Sequence, residues 1–129
     1  MPVVGQTYSA KDYCKEFECG CRSGMNYSKT TKSMVIITKA NCSEHGDFWK
    51  DDVLHYTAQG KIGEQTLTRS NKRLANANSE GTRLHIYQLV KPNEYLYKGE
   101  AELINIYTIK AIDEAGNLRT VYKFELKLK

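Results

Sequence analysis

Ile104-Asn105-Ile106-Tyr107-Thr108-Ile109-Lys110-Ala111-Ile112, then Asp113-Glu114-Ala115-Gly116-Asn117, then Leu118-Arg119-Thr120-Val121-Tyr122-Lys123-Phe124-Glu125-Leu126-Lys127-Leu128, is the stretch that decides the fold. Two runs rich in β-branched and aromatic residues flank a polar, glycine-containing break. That is the pattern of a β-hairpin. In the second run Leu118, Tyr122, Phe124, Leu126 and Leu128 share one face, and Arg119, Lys123, Glu125 and Lys127 share the other. The spacing predicts a half-buried strand with one wet face.

Working outward, Pro92-Asn93 makes a turn, and Glu94–Leu103 reads as extended, with Tyr95 and Tyr97 on one face. Arg83–Leu89 alternates, Leu84 and Ile86 against His85, Tyr87 and Leu89. Val53–Thr57 reads as a strand. Met34-Val35-Ile36-Ile37-Thr38 is a short apolar run, the mark of a buried strand. Residues 39–52 carry Asn, Ser, Gly and Asp and predict a loop, and Gln59-Gly60-Lys61-Ile62-Gly63 predicts a turn. Ser9, with Asp12 beyond it and Tyr13 and Phe17 on one face, predicts a short helix over 10–18 ended by Gly20. Ser70-Asn71 opens a second short helix through Ala77, with Gly81 beyond it. The fold class is α+β, mainly β, with five or six strands along the whole length. That distribution predicts a closed or highly curved sheet, not a doubly wound fold.

The 129 residues read as one domain, 1–129, without repeats or low-complexity linkers. Nineteen Lys and Arg against fifteen Asp and Glu give a net charge of +4, which permits a polyanionic partner without demanding one. No apolar run is long enough to span a membrane. No signal peptide is visible at Met1-Pro2-Val3-Val4-Gly5, so a cytoplasmic location is expected, with no membrane partner. Cys14, Cys19, Cys21 and Cys42, the last followed by His45 at ligand-like spacing, raise the question of zinc. Their spacing is not that of paired zinc knuckles, so reduced thiols are the expected state and no cofactor is predicted.

Catalytic signatures are absent. There is no phosphate loop, no nucleophile elbow, no zinc-protease helix and no nuclease metal motif built on His45, His55 and His85. The densest stretch is 45–75. It combines acids, aromatics, a glycine-containing turn and a basic helix start, and looks like a pocket lip beside a phosphate-contacting helix.

Within it, Leu54-His55-Tyr56-Thr57-x-x-Gly60, followed by Gln65-x-Leu67-Thr68-x-x-Asn71-x-x-Leu74, resembles the signature of the SRA (YDG) domain. The resemblance is strongest to the bacterial SRA-like domains of McrA-type HNH endonucleases that restrict modified DNA. Tyr97-Lys98-Gly99 resembles the family's Tyr-x-Gly, Arg119–Leu126 its closing strand, and Ser23–Ser28 the loop before its first core strand. The resemblance implies a PUA/SRA-like curved sheet or β-barrel with two short helices. It implies a non-catalytic reader of double-stranded DNA carrying 5-methylcytosine or 5-hydroxymethylcytosine, with the modified base flipped into a pocket. A nuclease domain or subunit would be its partner in a bacterial restriction system. By the same resemblance Tyr56 stacks on the base, Thr57 lies at its edge and Asp47 accepts from the cytosine amino group. Two positions depart from the family: its second stacking tyrosine aligns with His45, and its glycine after Tyr-Thr aligns with Ala58. Asn71, Lys72, Arg73 and Lys61 are the candidates for the DNA backbone.

Each residue also has an ordinary role. Tyr56 and Trp49 suit a core, Asp47 a solvated loop, and Asn71, Lys72 and Arg73 an exposed helix start. His55 and His85 read as structural. The alternatives are a small metal-dependent nuclease or base-processing enzyme of PUA-like fold, and an RNA-binding or interaction domain. The residues leave the modification open among 5-methyl, 5-hydroxymethyl, a glucosylated base and phosphorothioate.

Overall fold

The computed structural model describes residues 1–21, 23–40 and 46–129. Its elements are β1 (Thr7–Tyr8), α1 (Ala10–Phe17), β2 (Met25–Ser28), β3 (Ser33–Thr38), β4 (Phe48–Lys50), β5 (Val53–Thr57), α2 (Arg69–Ala75), α3 (Ala77–Glu80), β6 (Arg83–Lys91), β7 (Glu94–Ile112) and β8 (Leu118–Leu128). The hairpin joins β7 to β8, which pair antiparallel from Ala101↔Leu128 to Ile112↔Leu118.

Glu94–Leu103 and Ile104–Ile112, expected as separate segments, form one strand of 19 residues. It accommodates that length by bulging. The register shifts at Lys98 against β6 and at Ile104 against β8. Gly99 beside the first shift has φ 120°, a conformation open to glycine. Bulges bend and twist a strand, so β7 can pair with β1 and β6 early in its course and with β8 later.

The sheet order is β2-β3-β6-β7-β8-β5-β4, with β1 added on β7. It is an open mixed sheet: among the described residues its end strands β2 and β4 do not meet. Of the two forms expected, the curved sheet is the one present, not a closed barrel. β3 and β6 pair in parallel, Ser33↔Arg83 through Thr38↔Gln88. Parallel neighbours need a crossover, and this one contains β4, β5, α2 and α3.

Among the described residues eight strands stand in place of the five or six expected, partly because β4 lies where a loop was predicted. Its three residues pair with β5 across Asp51-Asp52, where Asp51 has φ 54°. So short a strand carries too little pattern to stand out from its polar flanks. Among the described residues three short helices replace two. The helix expected through Ala77 breaks at Asn76 (φ −97°, ψ 8°), and α3 follows, ended by Gly81 in the left-handed conformation. In α1 the capping box forms as predicted, Asp12 N–H donating to Ser9 Oγ and Ser9 N–H to Asp12 Oδ2, both at 3.1 Å. The left-handed residue that closes this helix is Glu18, two positions before Gly20.

Both faces of the central strands are covered, which explains their continuous apolar runs. Met34, Ile36, Leu84, Ile86, Leu54, Phe124 and Leu126 form the main core on one face. On the other, Val35, Tyr87 and Tyr97 pack against Tyr13 and Phe17 of α1. The wet face predicted for the last strand needs correction: Val121 and Lys123 are each 3% exposed. That face is covered at Val121 and Lys123, while Lys127 on the same face stays exposed.

Candidate functional site

Along β5 the side chains alternate. Leu54 and Tyr56 enter the main core, as does Ala58 just beyond the strand, and His55 and Thr57 lie on the opposite face. Tyr56 is 4% exposed, and its hydroxyl donates to the Gly24 carbonyl at 3.0 Å. Burial, with the Asp47 charge adding to it, pushes its phenol well above the usual range. Beside the end of β5 opens a cavity of about 980 Å³, whose wall includes Tyr56, Thr57, Asp47, Gln59, Lys61 and Lys123. That is the size of a pocket for a sizeable organic ligand.

Asp47 stands just before β4 and is buried, 9% exposed. Its Oδ1 accepts the Thr57 N–H at 2.8 Å and its Oδ2 the Thr38 hydroxyl at 2.9 Å. A carboxylate has capacity for more donors than these two. Thr57 Oγ1 in turn accepts from Lys123 Nζ at 2.7 Å, and the same ammonium donates to the Gly46 carbonyl. Burial pulls the Lys123 pKa down, and the Asp47 charge opposes that. Lys123 was not among the residues expected here. The alternation of its strand assigned it to solvent, and only the Thr57↔Lys123 register shows otherwise.

The loop after Tyr56 is held from outside itself. The Asn71 side chain accepts the Gln59 N–H at 2.9 Å and donates to the carbonyls of Gln59 at 2.9 Å and Thr66 at 3.0 Å. Gln65 donates to the carbonyls of Ala58 at 2.7 Å and Gly60 at 3.2 Å, and accepts the Tyr122 N–H at 2.8 Å. Arg119 Nη1 donates to the carbonyls of Gly60 at 2.7 Å and Gly63 at 3.1 Å. Asp113 accepts the N–H groups of Gly63, Ala115 and Asn117. These hydrogen bonds, Gly63 foremost, hold its carboxyl below the usual range.

The candidates for the DNA backbone therefore separate. Asn71 is 5% exposed, and both its amide hydrogens serve the loop, so none is left for a phosphate. Lys61 and Lys72 are exposed. Arg73 is exposed too, its guanidinium 3.8 Å above the Tyr27 ring centroid. His45, the candidate for the opposite wall of the pocket, and Cys42 lie outside the described residues. Cys14, Cys19 and Cys21 are free thiols. Burial and its cysteine neighbours push Cys14 up to about 12, away from the thiolate a metal would take. Among the described residues no group of three or more His, Cys, Asp or Glu is placed to hold a metal ion.

Trp49 and His55 find partners within the protein. Trp49 Nε1 donates to Gln88 Oε1 at 2.7 Å, and its ring packs against the main core. His55 stacks on Phe48 at 4.4 Å, with Nδ1 2.7 Å from the Tyr107 hydroxyl. No helix among the described residues is long and apolar enough to cross a membrane.

The profile of the ScoMcrA-like SRA domain matches residues 4–128. No curated protein matches the chain. Among solved structures, the sulfur-binding and SRA domains of ScoMcrA complexed with phosphorothioated DNA superpose with a TM-score of 0.76 at 15% identity, over 99% of this chain and 40% of that one. The type IV phosphorothioation-dependent restriction endonuclease ScoMcrA superposes at 0.73, 15% identity, over 99% of this chain and 28% of that one. The SRA domain of SUVH5 with hemimethylated CG DNA superposes at 0.72, 23% identity, over 99% of this chain and 89% of that one. At such identities the likeness establishes the fold, and the chain spans well under half of ScoMcrA.

Proposed function

The chain belongs to the ScoMcrA-like family of SRA domains, and on that footing we propose that it reads modified double-stranded DNA. The modified base is 5-methylcytosine or 5-hydroxymethylcytosine, extruded from the duplex into the cavity at the end of β5. The observation that carries this reading is the buried Asp47 carboxylate, fixed by Thr57 and Thr38 in the wall of a cavity roomy enough to admit a base. A base inside a duplex hides most of its edge, so reading it requires extrusion, at a cost of a few kcal/mol. Asp47 accepts from the cytosine amino group. Tyr56 forms wall and core at once, and Lys61, Lys72 and Arg73 contact phosphates. The complexes of ScoMcrA with phosphorothioated DNA and of SUVH5 with hemimethylated CG DNA support the binding of modified DNA. Cleavage belongs to a nuclease domain or subunit outside these residues, as the restriction endonuclease ScoMcrA suggests by analogy.

The test is competition between modified duplex, plain duplex and RNA at one stated salt concentration, because the phosphate contribution is strongly salt-dependent. The parent is expected to prefer the modified duplex. Asp47→Asn should lose that preference by about tenfold and keep salt-sensitive binding. Tyr56→Ala is a poor probe, since emptying a buried aromatic site costs about 3–5 kcal/mol of stability. Tyr56→Phe keeps the ring and should keep the preference. A parent that binds modified and plain duplex equally refutes the function.

A further inference from the structure

Lys123 plays no part in the function proposed above, and its setting is informative. The residue is 3% exposed, yet it ends in an ammonium in the cavity wall. An ammonium carries three donor hydrogens. Two go to Thr57 Oγ1 at 2.7 Å and the Gly46 carbonyl, and among the described residues nothing accepts the third. Thr57 binds in both directions: its hydroxyl accepts from Lys123 while its N–H donates to Asp47 Oδ1 at 2.8 Å. One residue thus brings a buried acceptor and a buried donor side by side in the same wall.

Cytosine has a matching pair of positions. Its 4-amino group, a donor, sits on the carbon next to the one that carries the 5-substituent. With that carbon, rather than ring N3 on the other side, turned towards Lys123, a base that presents a donor to Asp47 meets the ammonium with its 5-substituent. A methyl group there has nothing to accept with. It would press apolar surface against a desolvated charge and leave a buried donor unpaired. A hydroxymethyl, formyl or carboxyl group supplies the missing acceptor, and a hydrogen bond to a charged donor is stronger than a neutral one.

We infer that Lys123 is a specificity residue that makes the cavity prefer cytosine with an oxygen acceptor on its 5-substituent over 5-methylcytosine. The inference rests on the base-reading function proposed for this cavity. It differs from that function in naming which modified cytosine is preferred and which side chain selects it.

The experiment is equilibrium binding to four duplexes that differ at one base only: cytosine, 5-methylcytosine, 5-hydroxymethylcytosine and 5-carboxylcytosine. The parent should bind the two oxygenated duplexes about tenfold more tightly than the methylated one. Lys123→Met, similar in length and without charge, should erase that difference. Lys123→Arg should retain part of it. If the parent binds all modified duplexes above plain cytosine but ranks methyl equal to or above hydroxymethyl, the role of Lys123 is refuted and the function stands. If all four duplexes bind alike, the function itself falls. The parent comparison needs no variant, so a variant that fails to fold leaves the test intact.

Discussion

Acid should weaken this fold through one histidine, and the size of the effect follows from its surroundings. The His85 side chain is 1% exposed, its ring centroid 4.4 Å from that of Phe17 and its Nδ1 2.8 Å from the Tyr97 hydroxyl. Burial pulls its pKa from 6.5 to about 4; Glu100 opposes this, and Arg83 and Lys129 add to it. The unfolded chain takes up this proton near the ordinary histidine value, and the folded chain resists until about 4. Between those values the unfolded state binds more protons, so stability is complete above 6.5 and is lost as pH falls towards 4. The whole shift corresponds to about 3 kcal/mol, of which about 2 kcal/mol falls between about pH 7 and about pH 5. With a urea slope of about 2 kcal/mol per molar, the unfolding midpoint drops by about 1 M over that interval. Glu100 does not contribute there. Burial alone would raise its carboxyl, but hydrogen bonds from Arg83 and Lys129 hold it at about 2, and its share is lost only below its unfolded value of 4.5. Urea unfolding of the parent and of His85→Gln at the two pH values measures the effect. The variant should be less stable at neutral pH and show a much smaller pH dependence. A parent midpoint that does not move, or a variant that moves as far as the parent, refutes the reasoning.

Three further outcomes are expected. In Gly24→Ala the new Cβ would stand 2.9 Å from Tyr56 Oη, on a ring locked in the core; a loss of about 1–3 kcal/mol in denaturant unfolding, with weaker modified-base preference, is the expected result. Asn71→Ala removes the hydrogen bonds that fix Gln59 and Thr66; it should cost about 1–3 kcal/mol and make the 58–63 amides exchange faster by hydrogen–deuterium exchange. Lys72→Ala and Arg73→Ala should each flatten the plot of log affinity against log salt by about one phosphate's share, for every duplex alike. Unchanged slopes in both would take α2 out of the interface.

The parts of this fold legible in sequence were those whose signal is local. The box at Ser9 and Asp12, the hairpin across Asp113–Asn117 and the apolar run Met34–Thr38 each carry their cause within a few residues. The break at Asn76 was hidden because Asn71–Ala77 has ordinary helical composition and the chain turns there through one residue's dihedrals. The parallel β3–β6 pairing depends on a crossover of more than forty residues, which no short window contains. In the pocket, Asp47, Tyr56 and Thr57 line one cavity. Asn71 proved a matter of accounting: its position on a basic helix start suggested phosphate, but its amide is spent inside the protein. Lys123 was invisible because alternation assigns a face, whereas its burial depends on what the neighbouring strand and Gly46 place above that face.

The loop from Ala58 to Gly63 takes its course from Asn71, Gln65, Arg119 and Asp113, none of which belongs to it. Those four grip main-chain atoms, and Gln59 adds a side-chain anchor of its own to Ser23 Oγ at 2.7 Å, so the side chains of Lys61 and Ile62 have little say in where the loop runs. Such a segment behaves as an interchangeable tip on a fixed mount. Its exposed residues can drift, or be randomised, with small effect on folding, while the surface offered at the cavity mouth changes outright. A library confined to positions 61 and 62, with Gln59 and the four mounting residues untouched, is therefore the economical route to altered recognition on this scaffold.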